Sequence, residues 1–187
     1  VKNKRIIFLS FEMNAYQEGN DARLYDEKTN LIVACRDGNV ARVQELLNSD
    51  EDSAVGCNYA LRIACEFGQT EVVKILLRDE RVDPADWNSW IIRIACDYNH
   101  VDIVNLLLQD GRADPTGADN YCIRNASIYG HIKVVQLLLQ DGRVDPTARD
   151  NMAINQAKTE EIKEMLIKYK YRVDGPEYCR LKESLEK

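Results

Sequence analysis

Displaced by 31 residues, the sequence meets itself: Ala64, Ala95, Ala126 and Ala157 fall in one column and Leu77, Leu108 and Leu139 in another, with Ala34 and Leu47 one residue out of phase. A period of that length restricts the chain to a stacked array. A unit so short cannot bury its apolar side alone and must bury it against its neighbours. Among ways of filling 187 residues, this excludes a fold with one central core.

The copy at 120–146 shows what each unit is. Ile123, Ala126 and Ser127 form one apolar pattern of helical spacing, and Ile132, Val134, Val135, Leu137, Leu138 and Leu139 form a second. Tyr-Gly-His separates them, so one unit predicts helix, tight turn, helix. The turn column holds Gly38, Gly68, Asn99 and Gly130, residue types that accept the left-handed conformation ending a helix. Ahead of the first helix another column reads Asn58, Ser89, Asn120 and Asn151, expected to act as N-caps. Gly111 to Pro115 and Gly142 to Pro146 end the second helix and lead into an extended segment that proline keeps from being helical.

These features, Gly-His before an apolar doublet, a Leu-Leu-Leu run and a Gly-x-x-Asp loop, resemble the ankyrin repeat over about residues 23–187. The resemblance implies an all-α helix-turn-helix solenoid with capping repeats at both ends. Two departures accompany it. The period is 31 rather than the usual length of about 33, which predicts shorter finger loops, and the family's T-P-L-H gives way to Tyr121-Cys122-Ile123-Arg124. The divergent form is similar to repeats of large DNA viruses, amoebae and intracellular bacteria.

On this frame residues 1–22 are a non-repeat segment, either an N-terminal cap or the end of an upstream domain. Repeats are expected near 27–57, 58–88, 89–119 and 120–150, then a degenerate unit at 151–174 that lacks the Gly-His turn, and a closing half-repeat at 175–187.

Net charge is −6 with both signs interspersed, so no basic stripe offers itself to a nucleic-acid backbone or an anionic membrane. No stretch is long enough to span a bilayer, and the apolar run at 6–11 stops at Glu12 without forming a signal peptide. Of the six cysteines, Cys35, Cys65 and Cys96 share one column, which the resemblance assigns to a small packing residue. Stacked helices hold equivalent positions roughly 8–10 Å apart, beyond the ~7 Å between Cα atoms that a disulfide allows. All six are read as reduced thiols, in keeping with a cytoplasmic or nuclear setting, or a host cytosol if the chain is an effector.

No catalytic residue, cofactor or metal is expected. His100 and His131 share the column after the turn residue, where the family places a structural histidine, and neither Cys-x-x-Cys spacing nor a phosphate-cradling glycine loop is present. Arg62, Arg93 and Arg124 form a ladder suited to loop carbonyls or, alternatively, to an acidic partner. The aromatics carry the functional expectation. Phe67, Tyr98 and Tyr129 align just before the turn, Tyr59, Trp90 and Tyr121 form a second column after the N-caps, and Trp87 lies in a finger. By the resemblance these positions face the concave side, where a protein partner would bind, with Glu66, Asp97 and Arg149 at the rim. Rings covering the edges of neighbouring repeats are the competing explanation. The function expected is a monomeric protein-interaction module, an adaptor or effector; the alternatives are an inhibitor of a partner enzyme and the recognition half of a larger enzyme.

Overall fold

The computed structural model describes residues 31–48 and 54–171, with the backbone alone at 54–55 and 86–88. The expected N-terminal cap, residues 49–53, the Trp87 side chain and the closing half-repeat fall outside this description. The described residues form ten α-helices and no strand: α1 Leu31–Asp37, α2 Val40–Leu47, α3 Ala54–Glu66, α4 Thr70–Leu76, α5 Asp86–Asp97, α6 Val101–Asp110, α7 Gly117–Tyr129, α8 Ile132–Asp141, α9 Ala148–Asn155 and α10 Glu160–Lys170. Each odd-numbered helix turns back into the even-numbered one that follows. Odd helices then pack on odd and even on even, making two parallel layers of helices.

The apolar spacing decides which side each helix buries. In the second helices one set recurs, Val72, Val73 and Leu76, then Ile103, Val104 and Leu107, then Val134, Val135 and Leu138, all buried at i, i+1 and i+4. The leucines that close this seam are Leu76, Leu107 and Leu138, while Leu77, Leu108 and Leu139 are half-buried against its edge. In the first helices Ala64, Ala95 and Ala126 are fully buried, and so are Cys35, Cys65 and Cys96. Small side chains there let neighbouring first helices approach closely.

The tight turn is built the same way four times. Gly38, Gly68, Asn99 and Gly130 take φ of 71°, 73°, 57° and 79°, and the next residue's N–H returns to a carbonyl inside the first helix, as His131 does to Ala126 at 2.8 Å. That next residue then adopts an inverse γ-turn, with φ −83° and ψ 69° at His131, and the second helix begins. Gly68 is needed twice over, since a Cβ on it would lie 2.7 Å from the Cε1 of His100. The fifth unit lacks this turn: Thr159, extended, caps α10 by accepting from the N–H of Ile162 at 3.3 Å.

The asparagine and serine column does not cap its own helices. Asn58 lies within α3, while Ser89, Asn120 and Asn151 are left-handed, with φ of 56°, 59° and 60°, unlike the extended conformation of an N-cap. Instead, Asn58 Oδ1, Ser89 Oγ and Asn120 Oδ1 accept the backbone N–H of Asp83, Asp114 and Asp145 in the next loop, at 2.7, 2.9 and 2.7 Å. Each of those aspartates accepts in turn from the N–H two residues on, at 2.8–2.9 Å, folding an Asx turn. The loop that ends each repeat is therefore tied to the start of that repeat's first helix.

Arginines complete the tie. Arg81, Arg112 and Arg143 each chelate the aspartate two residues before them, Asp79, Asp110 and Asp141, and extend their remaining donors to carbonyls of the preceding repeat. Arg112, for instance, donates to the Val82 and Leu77 oxygens, both at 2.8 Å.

Candidate protein-binding face

The stack of first helices ends in a row of residues just ahead of the turns. α7 carries Tyr121, Asn125 and Tyr129 at intervals of four, which puts them along one side of the helix. α5 ends at Asp97, one repeat earlier, and the Asp97 carboxylate meets that side: Oδ2 accepts from the Tyr121 hydroxyl at 3.0 Å and Oδ1 from the Asn125 amide at 2.6 Å. The amide of Asn125 also donates to the Tyr121 oxygen at 2.9 Å. Burial holds the Asp97 carboxyl above the usual carboxylate range, opposed by these two hydrogen bonds and by the charges of Arg93 and His131. Burial and the Asp97 charge together push the Tyr121 hydroxyl up to about 12.

Tyr98 and Tyr129 flank this group and reach solvent, 37% and 55% exposed. Each lies alongside the histidine two residues on, Tyr98 on His100 and Tyr129 on His131, with ring centroids 6.0 Å apart and planes within 28° and 25°. The histidines themselves reach back one repeat. His100 Nε2 is 3.1 Å from the Glu66 carbonyl oxygen and His131 Nε2 is 3.3 Å from that of Asp97. Gln69 does the same, donating to the Arg36 oxygen at 2.8 Å, and Lys158 to the Tyr129 oxygen at 3.2 Å.

The second aromatic column is occupied by arginine. Arg62 lies 4.6 Å from the Tyr59 ring centroid, and Arg93 is sandwiched between Trp90 and Tyr121 at 4.6 and 4.8 Å. Arg124, buried, donates from Nε to the Asp119 oxygen and from Nη2 to the Ala118 oxygen, both at 2.9 Å. Of the two roles open to this ladder, the structure gives Arg124 the loop carbonyls.

The residues expected at the site are thus sorted into three groups. Asp97, Tyr98, Tyr121 and Tyr129 come together, although Tyr121 and Trp90 are half-buried behind arginines. Phe67 is half-buried in line with the tyrosines, and Glu66, expected at the rim, is 5% exposed beside Arg62, 3.9 Å away. Glu66 faces inward because the i, i+4 spacing sets its carboxylate over that buried guanidinium. Arg149 is exposed and pairs with Asp119 at 2.7 Å, at the starting end of the first helices. From Tyr121 to Tyr129 that is roughly 12 Å of helix away. Trp87 has its backbone in the first turn of α5. Asn125 was missing from the expectation, although its spacing of four from both tyrosines marks the stripe.

The five described cysteines, Cys35, Cys57, Cys65, Cys96 and Cys122, are free and buried. Among the described residues no group of three His, Cys, Asp or Glu side chains could hold a metal ion, and no described helix is long and apolar enough to cross a membrane.

Two parallel layers of helices, joined by repeated turns, define a helical-repeat solenoid. Family models described as "Ankyrin repeats (3 copies)" match residues 4–89 and 31–119, and one described as "Ankyrin repeat" matches residues 122–151. The chain belongs to the ankyrin-repeat family. A search of curated proteins returned no match.

Proposed function

We propose that the chain is a protein-binding module without catalysis of its own, and that its partner seats on the face made by the ends of the first helices. Ankyrin repeats generally mediate protein–protein interaction. The observation that carries the choice of face is the exposure of Tyr98 and Tyr129 in an array whose other large apolar side chains, among the described residues, are wholly or partly covered. Aromatic rings of this kind act as anchors at interfaces, offering large contact area for little lost rotamer freedom. By the family's geometry this face is concave. An adaptor role, presenting one protein to another, needs nothing more than such a surface. The buried free thiols suit a reducing compartment.

The test is binding by the double variant Tyr98→Ala with Tyr129→Ala. Crosslinking from lysate with the intact chain beside the variant identifies partners, and titration with the purified partner measures the loss, expected at about 2 kcal/mol or more for anchor residues. The thermal midpoint should barely move, since neither ring is core. Unchanged affinity for the same partner would remove this face from consideration.

A further inference from the structure

Asp97 is half-buried and lacks a partner that four other aspartates of the array have. Asp79, Asp110, Asp141 and Asp119 each sit 2.7–2.8 Å from an arginine nitrogen. Asp97 makes no ion pair among the described residues; both its oxygens are met by neutral donors, Tyr121 and Asn125. The arginine one turn back that could neutralise it, Arg93, is drawn into the Trp90 and Tyr121 sandwich. One repeat earlier, the matching acid Glu66 has Arg62 within 3.9 Å, and one repeat later the position is Ile128. A single, half-buried negative charge is therefore left in this column.

That charge sits among aromatic rings. Tyr98 follows it in the chain, and Tyr129 lies on its other side through His131, whose Nε2 approaches the carbonyl oxygen of Asp97 itself. The faces of exposed tyrosines attract cations through the ring quadrupole, and a desolvated carboxylate attracts them more strongly than one in bulk water. The overall charge of −6 favours the same kind of visitor.

We propose that this face receives an arginine or lysine side chain from an extended basic peptide segment of the partner, the cation lying against Asp97 with the rings of Tyr98 and Tyr129 beside it. The proposal rests on the reading of this face as the protein-binding surface and names the chemistry of what it binds. The raised carboxyl of Asp97 agrees with it, since a carboxylate under-stabilised by its surroundings gains most from an arriving positive charge.

The experiment is selection of phage-displayed random dodecapeptides on the intact chain, with clones that also bind the Tyr98→Ala, Tyr129→Ala variant discarded. The selected peptides are expected to share a fixed arginine or lysine. Replacing it by citrulline or glutamine in the synthetic peptide should weaken binding about tenfold or more, and Asp97→Asn should weaken the parent peptide by a similar factor. Asparagine at 97 keeps an acceptor oxygen for the Asn125 amide and turns its own amide N–H toward the Tyr121 oxygen, and the peptide substitution leaves the protein untouched, so a folding defect cannot imitate both results. Peptides that depend on the tyrosines but carry no essential basic residue would overturn the cation and leave the face standing. Finding no peptide that depends on the tyrosines would overturn both.

Discussion

Asn120 accepts the backbone N–H of Asp145, 25 residues further along, at 2.7 Å. The bond joins the start of one repeat's first helix to the loop that ends the same repeat, and Asn58 with Asp83 and Ser89 with Asp114 repeat it at the same separation. Because the acceptor is a side chain and the donor is backbone, alanine at position 120 leaves the N–H of Asp145 without this partner and loosens the Asx turn behind it. Asn120→Ala should lower stability by about 1 kcal/mol, read as a lower urea midpoint. Loss of the same size from Ser89→Ala would establish the column as a repeated tie; no loss from either would make the bonds incidental.

The turn that Asn120 belongs to is left-handed over three residues, Ala118, Asp119 and Asn120, at φ of 53°, 56° and 59°. Such a conformation costs a residue with a Cβ roughly 1–2 kcal/mol, and Arg124 offsets it by donating to two of the turn's carbonyls. One repeat on, Asn155 fills the same position and donates to the Asp150 oxygen at 3.0 Å, beneath a second left-handed turn at 149–151. Two opposite effects follow. Ala118→Gly should stabilise by about 0.5–1 kcal/mol by removing the Cβ conflict. Arg124→Lys, which replaces a two-pronged donor by a single ammonium, should cost about 2 kcal/mol. Equal and opposite denaturation shifts in the reverse sense would show that the turn is not held by this guanidinium.

Helix order, turn positions and the layered stack were all legible in the period, because an alanine, leucine or turn glycine can recur at fixed spacing only where packing repeats. The left-handed turns were not. Asn120 and Ser89 look like N-caps in the chain because capping and left-handed turns draw on the same small polar residues, and only the Asp145 and Asp114 bonds tell them apart. The exposed tyrosines were visible as a column. What separates Asp97 from Glu66 was hidden, since both stand four residues after an arginine; the difference lies in Tyr121 and Asn125 from the next repeat, a contact that no local spacing encodes. The pairing of Arg149 has the same origin: its partner, Asp119, is 30 residues away.

Acid should weaken the array in a defined window. Hydrogen bonds from Arg81, Arg112 and Arg143 hold the carboxyls of Asp79, Asp110 and Asp141 below their usual range. A depressed folded-state pKa contributes stability that is complete above the unfolded value of about 3.9 and is lost as pH falls through the folded value. Asp97 has the opposite sign: its raised carboxyl lets the folded state take up a proton earlier, so that stability rises as pH falls through that raised value. Urea midpoints measured from pH 7 downwards should therefore fall steeply only below about pH 4. Replacing Arg112 and Arg143 by glutamine should flatten that fall, and an unaltered slope would show that the chelated aspartates do not govern it.

The residue after each turn offers a comparison that the array has already made. Gln69, His100 and His131 begin second helices, and each lies within hydrogen-bond distance of a carbonyl at the end of the preceding repeat's first helix; Lys158 reaches the equivalent place in the fifth unit. An amide, an imidazole and an ammonium all suffice, so what the position requires is a donor of the right length. His131→Gln should therefore change stability by less than about 0.5 kcal/mol. His131→Leu keeps bulk beside the Tyr129 ring but has no donor, and should cost about 1 kcal/mol as the Asp97 carbonyl loses its partner. Binding gives the second readout. If His131 acts only by supporting Asp97 and Tyr129, the glutamine variant should hold a captured partner as tightly as the parent chain does. A glutamine variant that is stable yet fails to bind would show that the imidazole itself touches the partner, and would extend the binding face to the row of residues that begins the second helices.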